Sequence, residues 1–524
     1  MQIFSFSPFG YEGALVSVEV DLRRGIPAID MVGLADGAVK ESRERMKSAI
    51  RNSGFEFPSE RVLISLSPAD LKKEGAAFDL AVALAVLKEK NEADNNKNKN
   101  DAILVMGELE LNGRVRPVRA IHAAVTTAKN AGIRKCIVPL SNSDEARQVK
   151  EMKVFGADNL TDAFNALLSD NAFSEKSDND KQTETNLPQD TVCINGIYFL
   201  AEDKSMDFSQ IRGQNKLIRA LQIAVAGGHN ILAFGPPGCG KTLSLQRFPA
   251  LQPLLTTDQA QSVTRIYSIA GLLKAGQPLI RTAPFRMPHQ TATIEGICGG
   301  GPHLTPGEIS LAHNGALFLD EAAEYRTSVL QMLRVPLETK SITLSRAGRS
   351  TVFPADFQLL LATNPCPCGN YGSSEKICLC SAHSVELYWK KFSGPLLDRI
   401  ELRVQVDHLN EQKKSKEISK TTKELREEIA KAVYIQRKRQ GKKNSHLSPA
   451  ETADYCKLSS KASEILNNAC ERYGFSPRAA SSCIKVARTI ADMNEKEEID
   501  SSSMEEAVTY RKAGTNGENF SSLM

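Results

Sequence analysis

Val16, Val18 and Val20 alternate with Ser17, Glu19 and Asp21, a period of two that predicts a half-buried strand, and Val62 to Leu66 predicts another. Helical spacing runs from Gly37 to Ser53, and Phe78 to Leu87 predicts a helix laid with its apolar face on the sheet. Residues 1–170 therefore read as an α+β domain. The polar, low-complexity run from Lys88 to Asp101 reads as a solvated loop. Ser174 to Asp190, without aromatic or β-branched clusters and with a late Pro188, reads as a linker, placed within 171–206. Beyond it the apolar runs become continuous: Ile231 to Phe234, Ala316 to Leu319 and Phe357 to Thr363 fit parallel strands buried on both faces. Ser341 to Phe353 alternates around a turn at Arg346-Ala347-Gly348-Arg349 and predicts a β-hairpin. The stretch from Ala283 to Asp320, broken by Gly299-Gly300-Gly301-Pro302 and Pro306-Gly307, reads as a loop-rich insert. Helical spacing returns over Glu411 to Tyr434 and Lys461 to Tyr473. Ser476-Pro477 then starts a helix whose buried face holds Cys483, Ile484, Ala487 and Ile490.

A chain of 524 residues implies about three domains. The net charge of +4 is mild, so any affinity for nucleic acid has to come from local clusters. The run Arg437-Lys438-Arg439 with Lys442 and Lys443 is one such cluster, read either as a solvated face or as a DNA contact. With no basic-then-apolar leader and no apolar run of membrane length, the chain is expected to be soluble and cytoplasmic, without a membrane partner. Eleven cysteines without a secretory signal point to metal ligation rather than to a disulfide framework.

The strongest chemistry follows the strand at Ile231. Gly235-Pro236-Pro237-Gly238-Cys239-Gly240-Lys241-Thr242 is a P-loop: its glycines allow a turn whose N–H groups face phosphate oxygens. Lys241 is expected to reach the β and γ phosphates of ATP, and the Thr242 hydroxyl to hold Mg²⁺. About eighty residues on, an apolar strand ends in Asp320-Glu321. Asp320 is the expected second Mg²⁺ ligand, and Glu321 the base that takes a proton from the attacking water. Asn364, at the end of the third strand, is placed to bond the γ-phosphate or that water.

The pattern resembles AAA+ ATPases, with Asn364 in the place of sensor 1. FRMPHQ from Phe285, GEISLAHNGALFLDE from Gly307 and ATNPCPCGN from Ala362 resemble the magnesium-chelatase-like AAA+ ATPases of the ComM type. The resemblance implies an AAA+ P-loop core over 207–409 with a helical lid over 410–524. It implies an arginine finger at Arg399 in Leu396-Leu397-Asp398-Arg399, and a sensor 2 at Arg478 that touches the nucleotide across the cleft between core and lid. The bland alternatives are an ion pair between Arg399 and a carboxylate of its own chain, such as Asp398, and an exposed Arg478. In that clade hairpins face the ring's central pore. Lys340, Arg346 and Arg349 would then meet nucleic-acid phosphates, against the alternative of a solvated tip.

Three N-terminal segments, from Met31, Leu71 and Gly107, resemble a Lon-protease-like domain. Ala77 stands two residues after Gly75, where true Lon proteases carry serine, and Ile121 to Ala124 occupy the segment that carries lysine in those enzymes. Without nucleophile or amine, the domain is expected to be non-proteolytic. The family further implies a homo-oligomeric ring, expected as a hexamer, acting on DNA as a branch-migration helicase. Rival readings are a magnesium-chelatase motor subunit, which normally lacks the Lon-like domain, and an ATPase that remodels a protein partner. Cys366, Cys368, Cys378 and Cys380 offer four thiolates, read either as a structural Zn²⁺ site or as free thiols.

Overall fold

In the computed structural model the N-terminal strands are β1 (Gln2–Ser7), β2 (Ala14–Arg23), β3 (Ile29–Val32), β4 (Arg61–Ser67), β5 (Ala102–Val105), β6 (Lys135–Pro139) and β7 (Lys153–Ala157). They form one sheet of order β3-β4-β2-β1-β5-β6-β7, antiparallel at β1/β2 and β2/β4 and parallel elsewhere. Helices α1 (Gly37–Asn52), α2 (Asp79–Asn91), α3 (Ile121–Asn130) and α4 (Leu160–Leu168) cover it, with α3 on one face and the other three on the opposite face. The expectation for α2 needs correction: Asp79 to Leu87 are buried on every side, so this is a central helix and not one resting on a single face. The structure describes residues 1–33, 37–68, 76–91, 102–173, 187–273, 277, 279–302, 304–346, 349–371, 376–406 and 420–512. Gly75, residues 92–101 of the expected polar loop, 174–186 of the expected linker, Ala347-Gly348 of the hairpin turn and the boundary at 409/410 lie outside them.

The second sheet explains why its strands are apolar throughout. Its strands β8 (Ile231–Phe234), β9 (Phe285–Arg286), β10 (Ala316–Leu319), β13 (Gln358–Thr363) and β14 (Leu402–Gln405) are all parallel, in the order β9-β10-β13-β8-β14. Between β10 and β13 the chain makes the hairpin of β11 (Ser341–Arg346) and β12 (Arg349–Pro354). Ile231, Ala233, Phe318, Leu360 and Leu402 face one apolar cluster, while Leu232, Phe234, Leu317, Leu319 and Leu359 face another. Both faces are therefore dry, as parallel sheets require. The expected loop-rich insert supplies the edge strand β9, whose two residues are too few to show a period.

Helices α5 (Asn215–Gly227), α6 (Lys241–Gln246), α7 (Thr257–Ile269), α8 (Ala382–Lys390), α9 (Thr422–Gln440), α10 (Ser460–Tyr473), α11 (Pro477–Met493) and α12 (Ser501–Lys512) follow along the chain, with shorter helices between them. The last four share the first of those clusters with α5 and β8, so the C-terminal helices are packed onto the core. A capping box between Thr421 and Glu424 starts α9, and residues 411–419 of the expected helical stretch lie outside the described residues. The Ser476 hydroxyl caps α11 as its sequence predicts, accepting from Ala479 N at 3.2 Å. Asp207 Oδ1 accepts from the N–H and hydroxyl of Thr422 at 2.9 and 2.8 Å, joining the start of the core to the start of α9.

The N-terminal sheet is also fastened to the core. In the β1–β2 loop, Tyr11 N donates to Thr351 Oγ1 of β12 at 3.1 Å, and its ring meets the edge of Phe353 at 6.1 Å. Arg265 of α7 stacks on the same ring at 4.6 Å and donates to the carbonyl oxygens of Tyr11 and Glu12, both at 3.0 Å. Gly10 (φ 59°) is required here, because a Cβ would lie 1.8 Å from Thr351 Oγ1.

Candidate nucleotide site

At the end of β8 only glycine fits position 235, since a Cβ would lie 1.9 Å from the Val406 carbonyl oxygen. The chain then turns through Gly238 (φ 78°) and Gly240 (φ 86°), the left-handed region that glycine enters without a Cβ clash, and α6 begins at Lys241. Lys241 Nζ donates to the carbonyl oxygens of Gly235 and Pro236 at 2.6 and 2.7 Å and to Asn364 Oδ1 at 3.4 Å. Burial lowers its pKa, and the Cys239 thiol and the carboxylates of Asp320 and Glu321 draw it partly back up. A desolvated ammonium contacting mainly neutral oxygens is chemically matched to an incoming phosphate.

Thr242 Oγ1 donates to Asp320 Oδ1 at 3.0 Å, and Glu321 N donates to the same oxygen at 3.0 Å. A hydroxyl beside a carboxylate is a hard-oxygen pair that fits Mg²⁺. Glu321 takes φ 48°, uncommon for a residue with a Cβ, so the backbone is strained at the candidate base. Thr363 at the end of β13 bonds the Tyr388 hydroxyl at 2.9 Å, and Asn364 follows. Because β10, β13 and β8 are neighbours, their C-terminal ends bring the acidic pair, Asn364 and the P-loop to one edge of the sheet.

Arg399 lies at the opposite edge. Its carbonyl accepts from Asn230 Nδ2 at 2.8 Å, one residue before β8, so at 3.3 Å per residue the strand holds it roughly 15 Å from its own P-loop. Its guanidinium pairs with Glu338 and donates to the Pro395 carbonyl oxygen at 2.6 Å. Asp398 pairs with Arg511 instead, at 3.0 Å. Arg478 reaches Glu338 as well, at 3.5 Å. Glu338 had no motif to announce it; its role exists only because the fold brings residues 399 and 478 together.

The hairpin arginines separate from the lysine grouped with them. Arg346 and Arg349 are paired across the strands beside the turn. Lys340 sits at the hairpin's base, where it pairs with Asp356 at 3.1 Å, so it does not join the tip. In the basic run at the end of α9 and just beyond it, Arg439 pairs with Asp492 at 2.7 Å, Lys442 with Glu451 at 2.7 Å, and Lys443 donates to Gln358 Oε1 at 3.4 Å. Those three charges serve the fold rather than an open DNA face. The thiols of Cys366, Cys368, Cys378 and Cys380 all lie within 4.8 Å of one another. In the N-terminal domain Ala77, which has no hydroxyl, packs on the apolar cluster that contains Ile121, Ala123 and Ala124.

Three successive family profiles match the chain: subunit ChlI of Mg-chelatase over 18–142, magnesium chelatase subunit ChlI over 207–414, and its C-terminal part over 419–511. The competence protein ComM of Haemophilus influenzae is 35% identical over 97% of this chain and 97% of its own length. The uncharacterized protein YifB of Escherichia coli is 36% identical over 96% and 95%. A Lon protease of Lachnoclostridium phytofermentans is 25% identical over 26% of this chain and 18% of its own. The fold and site are thus those of a P-loop ATPase of the AAA+ class, for which the family implies ATP and Mg²⁺. Within that class the chain belongs to the magnesium-chelatase-like family, of the ComM/YifB type. Among the described residues no helix is long and apolar enough to cross a membrane.

Proposed function

We propose that the chain is one subunit of a ring, expected as a hexamer, that hydrolyses ATP between neighbours and acts on DNA as a branch-migration helicase. The observation that carries the shared site is the position of Arg399 across the sheet from its own P-loop, held ready with Arg478 on Glu338. Both guanidiniums would serve a nucleotide held by the next subunit. Lys241 and the loop N–H groups hold phosphates, and Thr242 and Asp320 would hold Mg²⁺, which supplies charge neutralisation. Glu321 takes the proton of the attacking water while Asn364 orients that water. Arg399 of a neighbour meets the charge that develops, an interaction worth about 10³ to 10⁵ in rate. The DNA role is supported by the competence assignment of a relative matched over nearly its full length and by the paired arginines beside the hairpin turn. The N-terminal domain, with Ala77 where Lon proteases carry serine and no lysine over Ile121 to Ala124, is a non-proteolytic layer.

A synthetic four-way junction tests this reading. Wild type should drive ATP-dependent branch migration, and Glu321→Gln should bind ATP while hydrolysing it at least about 10²-fold more slowly. A wild type that neither migrates junctions nor binds DNA in a salt-sensitive way rejects the DNA motor in favour of a chelatase-type or protein-remodelling ATPase.

A further inference from the structure

We propose that Cys366, Cys368, Cys378 and Cys380 hold one zinc ion as four thiolates, and that this metal fixes the loop that carries Asn364 against the P-loop. The thiol separations are 3.3 Å for Cys366–Cys368, 3.7 Å for Cys366–Cys378 and 3.5 Å for Cys368–Cys378. A tetrahedron with Zn–S bonds of 2.3 Å has edges of about 3.8 Å, so these thiols already stand near its corners. A disulfide would bring one pair together and leave the others apart, whereas Cys368 lies nearly as close to Cys378 as to Cys366. Four sulfurs leave no open position, so the ion is structural.

Packing does not anchor the second thiol pair. Ile377 and Leu379, on either side of Cys378, are 83% and 90% exposed, so the second thiol pair is not anchored by burying its neighbours. Metal ligation supplies what apolar burial does not. The first pair is tied to the nucleotide site by three contacts. The Pro365 carbonyl oxygen, between Asn364 and Cys366, accepts from Trp389 Nε1 at 3.0 Å. The Trp389 ring stands edge-on to Phe234, the last residue of β8, at 5.7 Å. Gly369 (φ 78°) presses on the P-loop so closely that a Cβ would lie 2.8 Å from Pro237 Cδ. A loop clamped at its cysteines thus holds Asn364 at one end and the outer wall of the P-loop at the other.

The coupling rests on the nucleotide-site reading; the metal does not. Full-length protein purified without chelator should carry about one zinc per chain by mass spectrometry, and Cys378→Ser/Cys380→Ser below about 0.2. The double variant should keep its ATP affinity within about threefold and lose about tenfold in kcat, the signature of a misplaced positioning group. Gly369→Ala retains all four thiols and should keep full zinc while also losing kcat, which covers the case of a double variant that fails to fold. Wild-type protein with less than half an equivalent of zinc, or with a mass two hydrogens light from a disulfide, overturns the metal site. Unchanged kcat in zinc-loaded Gly369→Ala and in a folded, zinc-depleted double variant overturns the coupling. Zinc-loaded wild type that hydrolyses no ATP overturns the nucleotide reading and the coupling together, and leaves the metal site standing.

Discussion

His229 sits where α11 crosses the start of β8, with Nε2 2.8 Å from Thr489 Oγ1. Burial first, then the charges of Lys485, His446 and Lys443, push its pKa down to about 3. An unfolded chain takes up this proton near pH 6.5, so between 6.5 and 3 the unfolded state binds a proton that the folded state refuses. Stability is therefore highest above pH 6.5 and falls on acidification, by at most about 1.4 kcal/mol per pH unit for this one group. His122 and His313, both lowered to about 4 by burial, add to the fall. Urea denaturation at pH 7 and pH 5 should show a smaller acid loss for His229→Gln than for wild type; equal losses would deny His229 this role. At this scale the sequence was legible where chemistry is local: the P-loop, the acidic pair and Asn364 each sit at the end of a strand their own neighbours specify. Glu338 and Gly369 were not legible, because each acts on residues distant in the chain.

Among elements, the β11–β12 hairpin was read correctly from its alternation, and its arginines flank the turn as expected. Lys340 was misgrouped because closeness in sequence hides which end of a hairpin a residue occupies, and Asp356, which holds it, lies beyond the second strand. If Arg346 and Arg349 meet phosphates, replacing both with alanine should weaken DNA binding at low salt. The slope of log K against log salt should shrink by about 1 to 2, and an unchanged slope would leave the hairpin without a part in DNA contact. The helix α2 shows the opposite limit of pattern reading. Its apolar run was seen, but periodicity does not tell a helix covered on one face from one enclosed on all sides.

For the whole molecule, the sheet order puts the phosphate cradle and Arg399 at opposite edges, so one chain alone lacks part of the proposed site. Lys241→Ala and Arg399→Ala should each be inactive by themselves. Mixed in equal amounts they should regain ATPase activity, since random assembly leaves about one seam in four with both parts intact. Recovery that fails, together with full turnover by Arg399→Ala alone, would remove the shared site. The clasp on Tyr11 has a practical consequence for dissecting such a machine. Arg265, with a side chain only 6% exposed, and Phe353, wholly enclosed, both rest against the β1–β2 loop. A fragment trimmed of its first domain would bare both to solvent. Its failure would describe an injury at the cut surface rather than the missing domain's task, and single-residue changes at the clasp are the cleaner scalpel.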